Sequence, residues 1–149
     1  MQSRPDKDYY FLSIAEAVSQ RASCFRRKVG CVLVDSIGHI LSTGYNGPPR
    51  STPNCSLYNP CPEMDAPRGV SLDKCRAVHA EQNALIQCPK SEAIDVAYIT
   101  VSPCIHCIKM LLNTSAKRMV FSETYLDEPL KVWVACGRFF TEISKLKQL

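Results

Sequence analysis

The sequence has no long hydrophobic run, no long lysine or arginine tract and a single tryptophan. A membrane-spanning helix needs about 20 apolar residues, and no run approaches that length, so we expect no membrane association. The polar start, Met1–Asp8, does not resemble the apolar core of a signal peptide, so we expect a cytoplasmic location. The single tryptophan and the net charge of +4 do not suggest the basic, aromatic groove that binds a polynucleotide, and no nucleic-acid partner is expected.

Cysteine and proline, by contrast, are plentiful, with 9 and 10 residues in a chain of 149. Roughly two-thirds of the unfolded surface can be buried at this length, so we predict a single domain over residues 1–149. An odd number of cysteines, two of them in a C-x-x-C, fits reduced thiols, some on a metal, better than a disulfide framework. The mild positive charge suits a phosphorylated small molecule.

Hydrophobic periodicity gives the order of the elements. Apolar residues recur at helical spacing after Asp8, which we take as the N-cap of a first helix. From Asn46 to Lys74 the periodicity disappears and prolines accumulate, which predicts a long loop. Helices alternating with the later strands predict an α/β sandwich whose mixed sheet joins an antiparallel hairpin to parallel βαβ strands. The predicted helices cover 9–21, 76–87, 103–113 and 129–137, the strands 28–35, 39–43, 94–101 and 117–122, and 139–146 is a last strand or helix.

Two short motifs carry the chemistry. His79 and Glu81 form an H-x-E at the start of a predicted helix, and Cys104 and Cys107 form a P-C-x-x-C at the start of another. One His and two Cys can hold zinc at three corners of a tetrahedron and leave the fourth for water. Each motif alone is common, but their pairing is the known signature of zinc-dependent nucleobase deaminases.

Glu81 is the predicted catalytic residue in that pattern. It would take a proton from the attacking water, give one to the ring nitrogen and protonate the leaving ammonia. The alternative is an exposed first-turn carboxylate that only complements the helix dipole. The neighbouring cysteine pair favours the catalytic interpretation.

With further segments, the chain resembles the deoxycytidylate (dCMP) deaminases of the cytidine deaminase-like superfamily over almost its whole length. The fold that this resemblance implies is a three-layer α/β/α cytidine deaminase-like sandwich with a mixed central sheet. The segments that carry the resemblance are Cys24–Gly30 (CFRRKVG), Ser42–Pro49 (STGYNGPP), Val78–Leu85 (VHAEQNAL) and Thr100–Cys107 (TVSPCIHC).

The resemblance implies hydrolysis of dCMP to dUMP and ammonia, which supplies thymidylate synthesis. It implies that Asn46 contacts the nucleotide sugar and that Tyr125 lies at the substrate pocket, with Ala80 and Ser102 as further substrate contacts. From the residues alone, Asn46 is equally a turn residue beside Gly47. Tyr125 is equally an aromatic that covers the last helix.

Many members of this family are oligomers that dCTP activates and dTTP inhibits, with Mg²⁺ on the triphosphate. The resemblance therefore implies an effector site, and we expect a homo-oligomer no larger than a hexamer. A cluster of cations suits a triphosphate, although it can equally be a solvated face. The residues that match the effector segments are Arg26, Arg27, Lys28, Asn46 and Gly47.

Four further cysteines resemble the ligands of a second, structural zinc found in some bacterial and phage relatives. A four-thiolate site would hold down a loop that has little apolar content of its own. The irregular spacing is also compatible with free thiols or a partial ligand set. These residues are Cys24, Cys55, Cys61 and Cys75.

Two other functions compete with dCMP deamination. One is a zinc deaminase that acts on free cytidine, a tRNA adenosine or cytosine in single-stranded DNA. The other is a non-catalytic, zinc-stabilised module that binds nucleotides. Glu81 argues against the second, because a structural zinc needs four ligands and no free acid beside it.

Overall fold

A computed structural model describes residues 3–67, 69, 70 and 74–144 of the chain. The predicted tail beyond residue 144 lies outside this range. The elements, in chain order, are α1 (Lys7–Ser19), β1 (Gly30–Asp35), β2 (Ile40–Tyr45), α2 (Ala80–Gln87), β3 (Ile94–Val101), α3 (Ile105–Leu112), β4 (Arg118–Glu123), α4 (Asp127–Ala135) and β5 (Phe139–Glu142).

The five strands form one sheet in the order β2-β1-β3-β4-β5. β1 runs antiparallel to both β2 and β3, whereas β3, β4 and β5 are mutually parallel. α3 connects β3 to β4 and α4 connects β4 to β5, so each parallel pair is joined by a helix. The predicted mixed sheet is confirmed, and residues 139–142 are a strand.

Helices cover both faces of the sheet. Alternate residues of a strand point to opposite faces, so Cys31 and Leu33 of β1 pack with α2, α3 and α4, while Val32 and Val34 pack with α1. The fully buried Trp133 of α4 lies in the first of these two cores. The three-layer α/β/α arrangement is confirmed. None of the described helices is long and apolar enough to cross a membrane.

The first helix begins earlier than its periodicity predicted, and Asp8 is not its cap. Asp6 is the N-cap, since its Oδ1 accepts a hydrogen bond from the Asp8 amide at 2.7 Å. Asp8 lies in the first turn, where Arg118 donates to both of its carboxylate oxygens at 2.9 Å and the Tyr98 hydroxyl donates at 2.9 Å. The prediction failed because these partners on β3 and β4 are remote in sequence.

The second helix begins at Ala80 and not near residue 76 as predicted. Val78 is held instead in an extended bridge with Gly47, with reciprocal backbone hydrogen bonds of 2.8 and 3.2 Å. This bridge closes the proline-rich loop at both ends. The extended backbone continues through His79, which has φ −71° and ψ 156° and is the N-cap of α2.

Two arginines hold the proline-rich loop, whose described residues contain no α-helix and no strand longer than the bridge. Arg26 donates to the carbonyl oxygens of Glu63 and Ala66, each at 2.6 Å. Arg76 donates to the Asn59 side chain and to the Pro60 carbonyl. Each guanidinium group donates hydrogen bonds to loop carbonyl oxygens, which have no partner in a helix or a sheet.

Candidate metal centre and catalytic cavity

The N-termini of α2 and α3 meet at one point. His79 is the N-cap of α2, Cys104 is the N-cap of α3, and Cys107 lies in the first turn of α3. The His79 Nδ1 atom is 3.4 Å from the Cys104 sulfur and 3.3 Å from the Cys107 sulfur. Among the described residues, only these three bring metal-ligand atoms within 4.8 Å of one another as a group. The structure thus brings together the predicted ligands from two distant segments.

These distances fit a zinc ion. Zn–S bonds of about 2.3 Å and Zn–N bonds of about 2.0 Å at tetrahedral angles place nitrogen and sulfur about 3.5 Å apart. The observed nitrogen–sulfur distances are 3.3 and 3.4 Å. Two thiols and one imidazole are also ligand types that zinc prefers. Three protein ligands leave one tetrahedral position for water, which is the pattern of a catalytic zinc and not of a structural one.

The two cysteines are unequal in acidity. A hydrogen bond from the Cys107 thiol, with a second one from His79, lowers the pKa of Cys104 to about 4. The same hydrogen bond to Cys104, together with burial, raises the pKa of Cys107. Cys104 is therefore the more acidic of the two thiols, and Cys107 would release its proton on binding a metal.

Glu81 is a buried carboxyl group beside the metal ligands. It is the second residue of α2 and is only 5% exposed. Burial raises its pKa to about 7, although the positive charge of His79 opposes the shift. A group with this pKa can accept and release a proton near neutral pH, which a general acid–base catalyst requires. The exposed-carboxylate alternative does not fit this burial.

Close packing of α2 on β2 sets the position of His79 and Glu81. A Cβ atom on Gly44 would lie 2.3 Å from both the Ala80 carbonyl oxygen and the Ala84 amide nitrogen. The Ser42 hydroxyl donates to the Ala84 carbonyl at 2.7 Å. Sequence reasoning missed the role of Ser42 and Gly44, although both belong to the STGYNGPP segment that carries the resemblance.

Two of the three metal ligands, His79 and Cys104, lie in the wall of a cavity of about 350 Å³. Its size falls within the usual range for small-molecule sites. Lys28 and Gly47, two of the predicted effector residues, are not among the described residues that line it. The predicted residues that do line it are Cys24, Arg26, Arg27, Asn46, Cys75, His79, Ala80, Glu81, Ser102, Cys104 and Tyr125.

Asn46 and Ser102 both hold neighbouring backbone. The Asn46 side chain accepts a hydrogen bond from the Val29 amide and donates to the Arg27 carbonyl, each at 2.8 Å. The Ser102 hydroxyl accepts from the Tyr125 amide at 2.7 Å. Both residues therefore shape the cavity wall. Their predicted contacts with substrate stay predictions.

Comparison with known proteins identifies the family. The description "Cytidine and deoxycytidylate deaminase zinc-binding region" matches residues 5–123, which include His79, Glu81, Cys104 and Cys107. The chain belongs to this deaminase family. The match spans most of the described sheet and all three residues that fit zinc.

Individual members of the deaminase family resemble much of the chain. The deoxycytidylate deaminase of Mycobacterium phage D29 is 41% identical over 80% of this chain and 96% of its own length. That of Saccharomyces cerevisiae is 34% identical over 84% of this chain, but the match spans only 40% of the yeast protein. The crystal structure of dCMP deaminase from the cyanophage S-TIM5 in complex with dCMP and dUMP superimposes with a TM-score of 0.75 at 29% identity, over 95% of this chain and 100% of that one.

The additional cysteines of this deaminase-family chain cluster near the same cavity. Burial raises the pKa of Cys75, and the charges of the neighbouring Cys24, Cys61 and Cys55 raise it further. All nine cysteines are free thiols. Within the described residues, however, no three of these four sulfurs come within 4.8 Å of one another.

Proposed function

We propose that this chain hydrolyses dCMP to dUMP and ammonia. The observation that carries the proposal is the meeting of His79, Cys104 and Cys107 beside the buried, near-neutral Glu81 in a nucleotide-sized cavity. Relatives named deoxycytidylate deaminase, and a structural neighbour solved with dCMP and dUMP, support dCMP as the substrate. We further propose that residues 1–149 act as one domain.

The chain would supply positioning and proton transfer. When bound, zinc would make a water molecule nucleophilic at neutral pH. Glu81 would accept a proton from the attacking water, deliver one to the ring nitrogen of cytosine and then protonate the departing amine. Burial keeps this carboxyl away from bulk water, so its proton passes to the substrate and not to solvent. The C4–O bond would form first and the C4–N bond would break afterwards, giving dUMP and ammonia.

An ultraviolet assay tests the reaction directly. The zinc-loaded protein is incubated with dCMP, CMP, deoxycytidine, cytidine, dCTP and a short single-stranded oligonucleotide, and loss of the cytosine absorbance is followed. We expect the highest kcat/KM with dCMP. No turnover of dCMP, with or without dCTP and Mg²⁺, would reject the proposal. Faster turnover of the oligonucleotide would assign the chain to polynucleotide editing.

Regulation by dCTP and dTTP with Mg²⁺ is also proposed, at the segment that contains Arg26, Arg27, Lys28, Asn46 and Gly47. Lys28 is exposed and remains accessible to a triphosphate, whereas both amino groups of Arg26 already bind the loop. Adding each triphosphate to the dCMP assay tests this proposal. Unchanged kinetics in the presence of both would reject it.

The second zinc and the assembly remain proposals too. The proximity of Cys24, Cys55 and Cys61 to Cys75 supports a structural zinc, and metal analysis that finds one zinc per chain at saturation would reject it. We propose a homo-oligomer no larger than a hexamer, and light scattering that gives a monomer mass would reject that. A cytoplasmic location stays a prediction from the sequence.

A further inference from the structure

Two arginine side chains line the catalytic cavity among the described residues, and their hydrogen bonds differ. Both amino nitrogens of Arg26 donate to loop carbonyls at 2.6 Å. Arg27 differs, because its Nη1 atom is buried and has no hydrogen-bond partner within the described part of the chain. Among these described residues, its Nη2 atom donates to the Glu123 carboxylate at 3.4 Å, which is the long end of the hydrogen-bond range.

The position of Arg27 is fixed by several contacts. Its carbonyl oxygen accepts the hydrogen bond from the Asn46 amide at 2.8 Å. Its guanidinium group lies over the Tyr125 ring, 5.3 Å from the ring centroid. The Tyr125 backbone is in turn held by the Ser102 hydroxyl, immediately after β3. The guanidinium is therefore held in the cavity wall before any ligand binds, which reduces the entropy lost on binding.

A buried guanidinium nitrogen without an acceptor costs free energy, because it has lost its hydrogen bonds to water and gained none from the protein. An anion beside the Arg27 guanidinium group in the cavity would supply an acceptor and lower this cost. Guanidinium groups match phosphate oxygens in geometry and form charge-assisted hydrogen bonds with them. The Glu123 carboxylate does not satisfy Arg27, because it meets only Nη2, at a long distance, and is itself 45% exposed.

We propose that Arg27, whose Nη1 atom lacks an acceptor, binds the 5′-phosphate of the substrate through its guanidinium group and thereby makes the enzyme select a nucleotide over a nucleoside. The inference rests on the proposed function. It replaces the effector role of Arg27 with a substrate role at the catalytic cavity. Asn46 then acts as a positioning residue that fixes the Arg27 backbone, and the effector role remains for Lys28.

The test compares dCMP with deoxycytidine in the zinc-loaded protein. In Arg27→Gln we expect kcat/KM for dCMP to fall about 10- to 100-fold, mainly through KM, because charge-assisted hydrogen bonds are lost. Turnover of deoxycytidine should not change, since it has no phosphate. The kcat/KM of Arg27→Lys for dCMP should be intermediate, because lysine keeps the positive charge but lacks the planar group with several donors. Lys131→Gln is the control, since it removes one exposed positive charge on α4, away from the cavity.

The outcomes separate this inference from the proposed function. If the wild-type protein turns over dCMP and Arg27→Gln keeps the wild-type ratio of dCMP to deoxycytidine activity, the phosphate role is wrong. An equal loss for both substrates would also refute it and indicate a structural role. Failure of the proposed function is seen separately, as absence of dCMP turnover in the wild-type protein.

A binding measurement covers the case in which deoxycytidine turnover is too slow to detect. Calorimetry with dUMP and with deoxyuridine should show tighter binding of dUMP to the wild-type protein, and Arg27→Gln should remove most of that difference. If Arg27→Gln keeps the difference, the proposal is refuted. Zinc content and circular dichroism establish that each variant is folded. Arg27→Gln is also compared with the wild-type protein for activation by dCTP. If this variant loses activation but keeps the wild-type ratio of dCMP to deoxycytidine activity, Arg27 belongs to the effector site and its substrate role is refuted.

Discussion

Replacing Gly44 by alanine should damage catalysis without touching a catalytic group. The new Cβ would lie 2.3 Å from the Ala80 carbonyl oxygen and from the Ala84 amide nitrogen, whereas ordinary contacts begin near 3.4 Å. Both atoms are backbone, so no side-chain rotation relieves the overlap. Helix α2 must therefore move away from β2 by about 1 Å, the difference between these two distances.

That displacement acts on the first turn of α2. His79 and Glu81 lie in this turn, while Cys104 and Cys107 lie on α3 and do not move with it. The His79 nitrogen lies 3.4 and 3.3 Å from the two sulfurs. A shift of about 1 Å in His79 would therefore prevent all three ligands from binding one zinc ion. Overpacking of this kind costs about 1 to 3 kcal/mol of stability, and a 1 Å misplacement of catalytic groups costs about 100-fold in rate.

The measurement combines kcat/KM for dCMP, zinc affinity from a competing chelator and urea unfolding. Gly44→Ala should lose at least about 100-fold in kcat/KM and should bind zinc more weakly. Gly38→Ala is the matched control, because Gly38 has φ +90° and no neighbouring atom within 4 Å. It should lose about 1 kcal/mol of stability from backbone strain with kcat/KM unchanged. Wild-type zinc affinity and turnover in Gly44→Ala would refute the reasoning.

Two other substitutions test the chemistry and the stability separately. Glu81→Gln should keep zinc but lose about 100- to 10,000-fold in kcat, and a variant with normal turnover would exclude Glu81 as the proton carrier. Asp8→Asn should reduce the acid sensitivity of folding. The hydrogen bonds from Arg118 lower the pKa of Asp8 in the folded state, so this stabilisation is present above its unfolded pKa of about 3.9 and is lost as pH falls through the lower folded pKa. Because the pair is partly exposed, it contributes only about 1 kcal/mol; urea unfolding from pH 7 down to about pH 3 should therefore show a smaller loss in Asp8→Asn, and equal losses would exclude the effect.

Most of the order of helices and strands was predictable, because the spacing of apolar residues within each segment indicates its secondary structure. Strand β3 matches its predicted range, and the hairpin, α3, β4 and α4 differ from their predicted bounds by only a few residues. The start of α2 was mispredicted because a bridge between Gly47 and Val78, distant in sequence, keeps the chain extended. The cap of α1 was mispredicted because both Asp6 and Asp8 suit a cap and only the contact with Arg118 decides between them.

The residue types that take part in the chemistry can be identified from local sequence alone. The H-x-E and P-C-x-x-C motifs name one imidazole, two thiols and one carboxyl group, and their local spacing already places each at a helix N-terminus. Contacts between distant segments bring the two helices together at one point and bury Glu81 enough for its pKa to rise. Tertiary contacts also bind Arg26 to the loop, while the Nη1 atom of Arg27 has no acceptor among the described residues. Two adjacent arginines are equivalent in sequence, and only the packing of distant segments around them gives each a different environment.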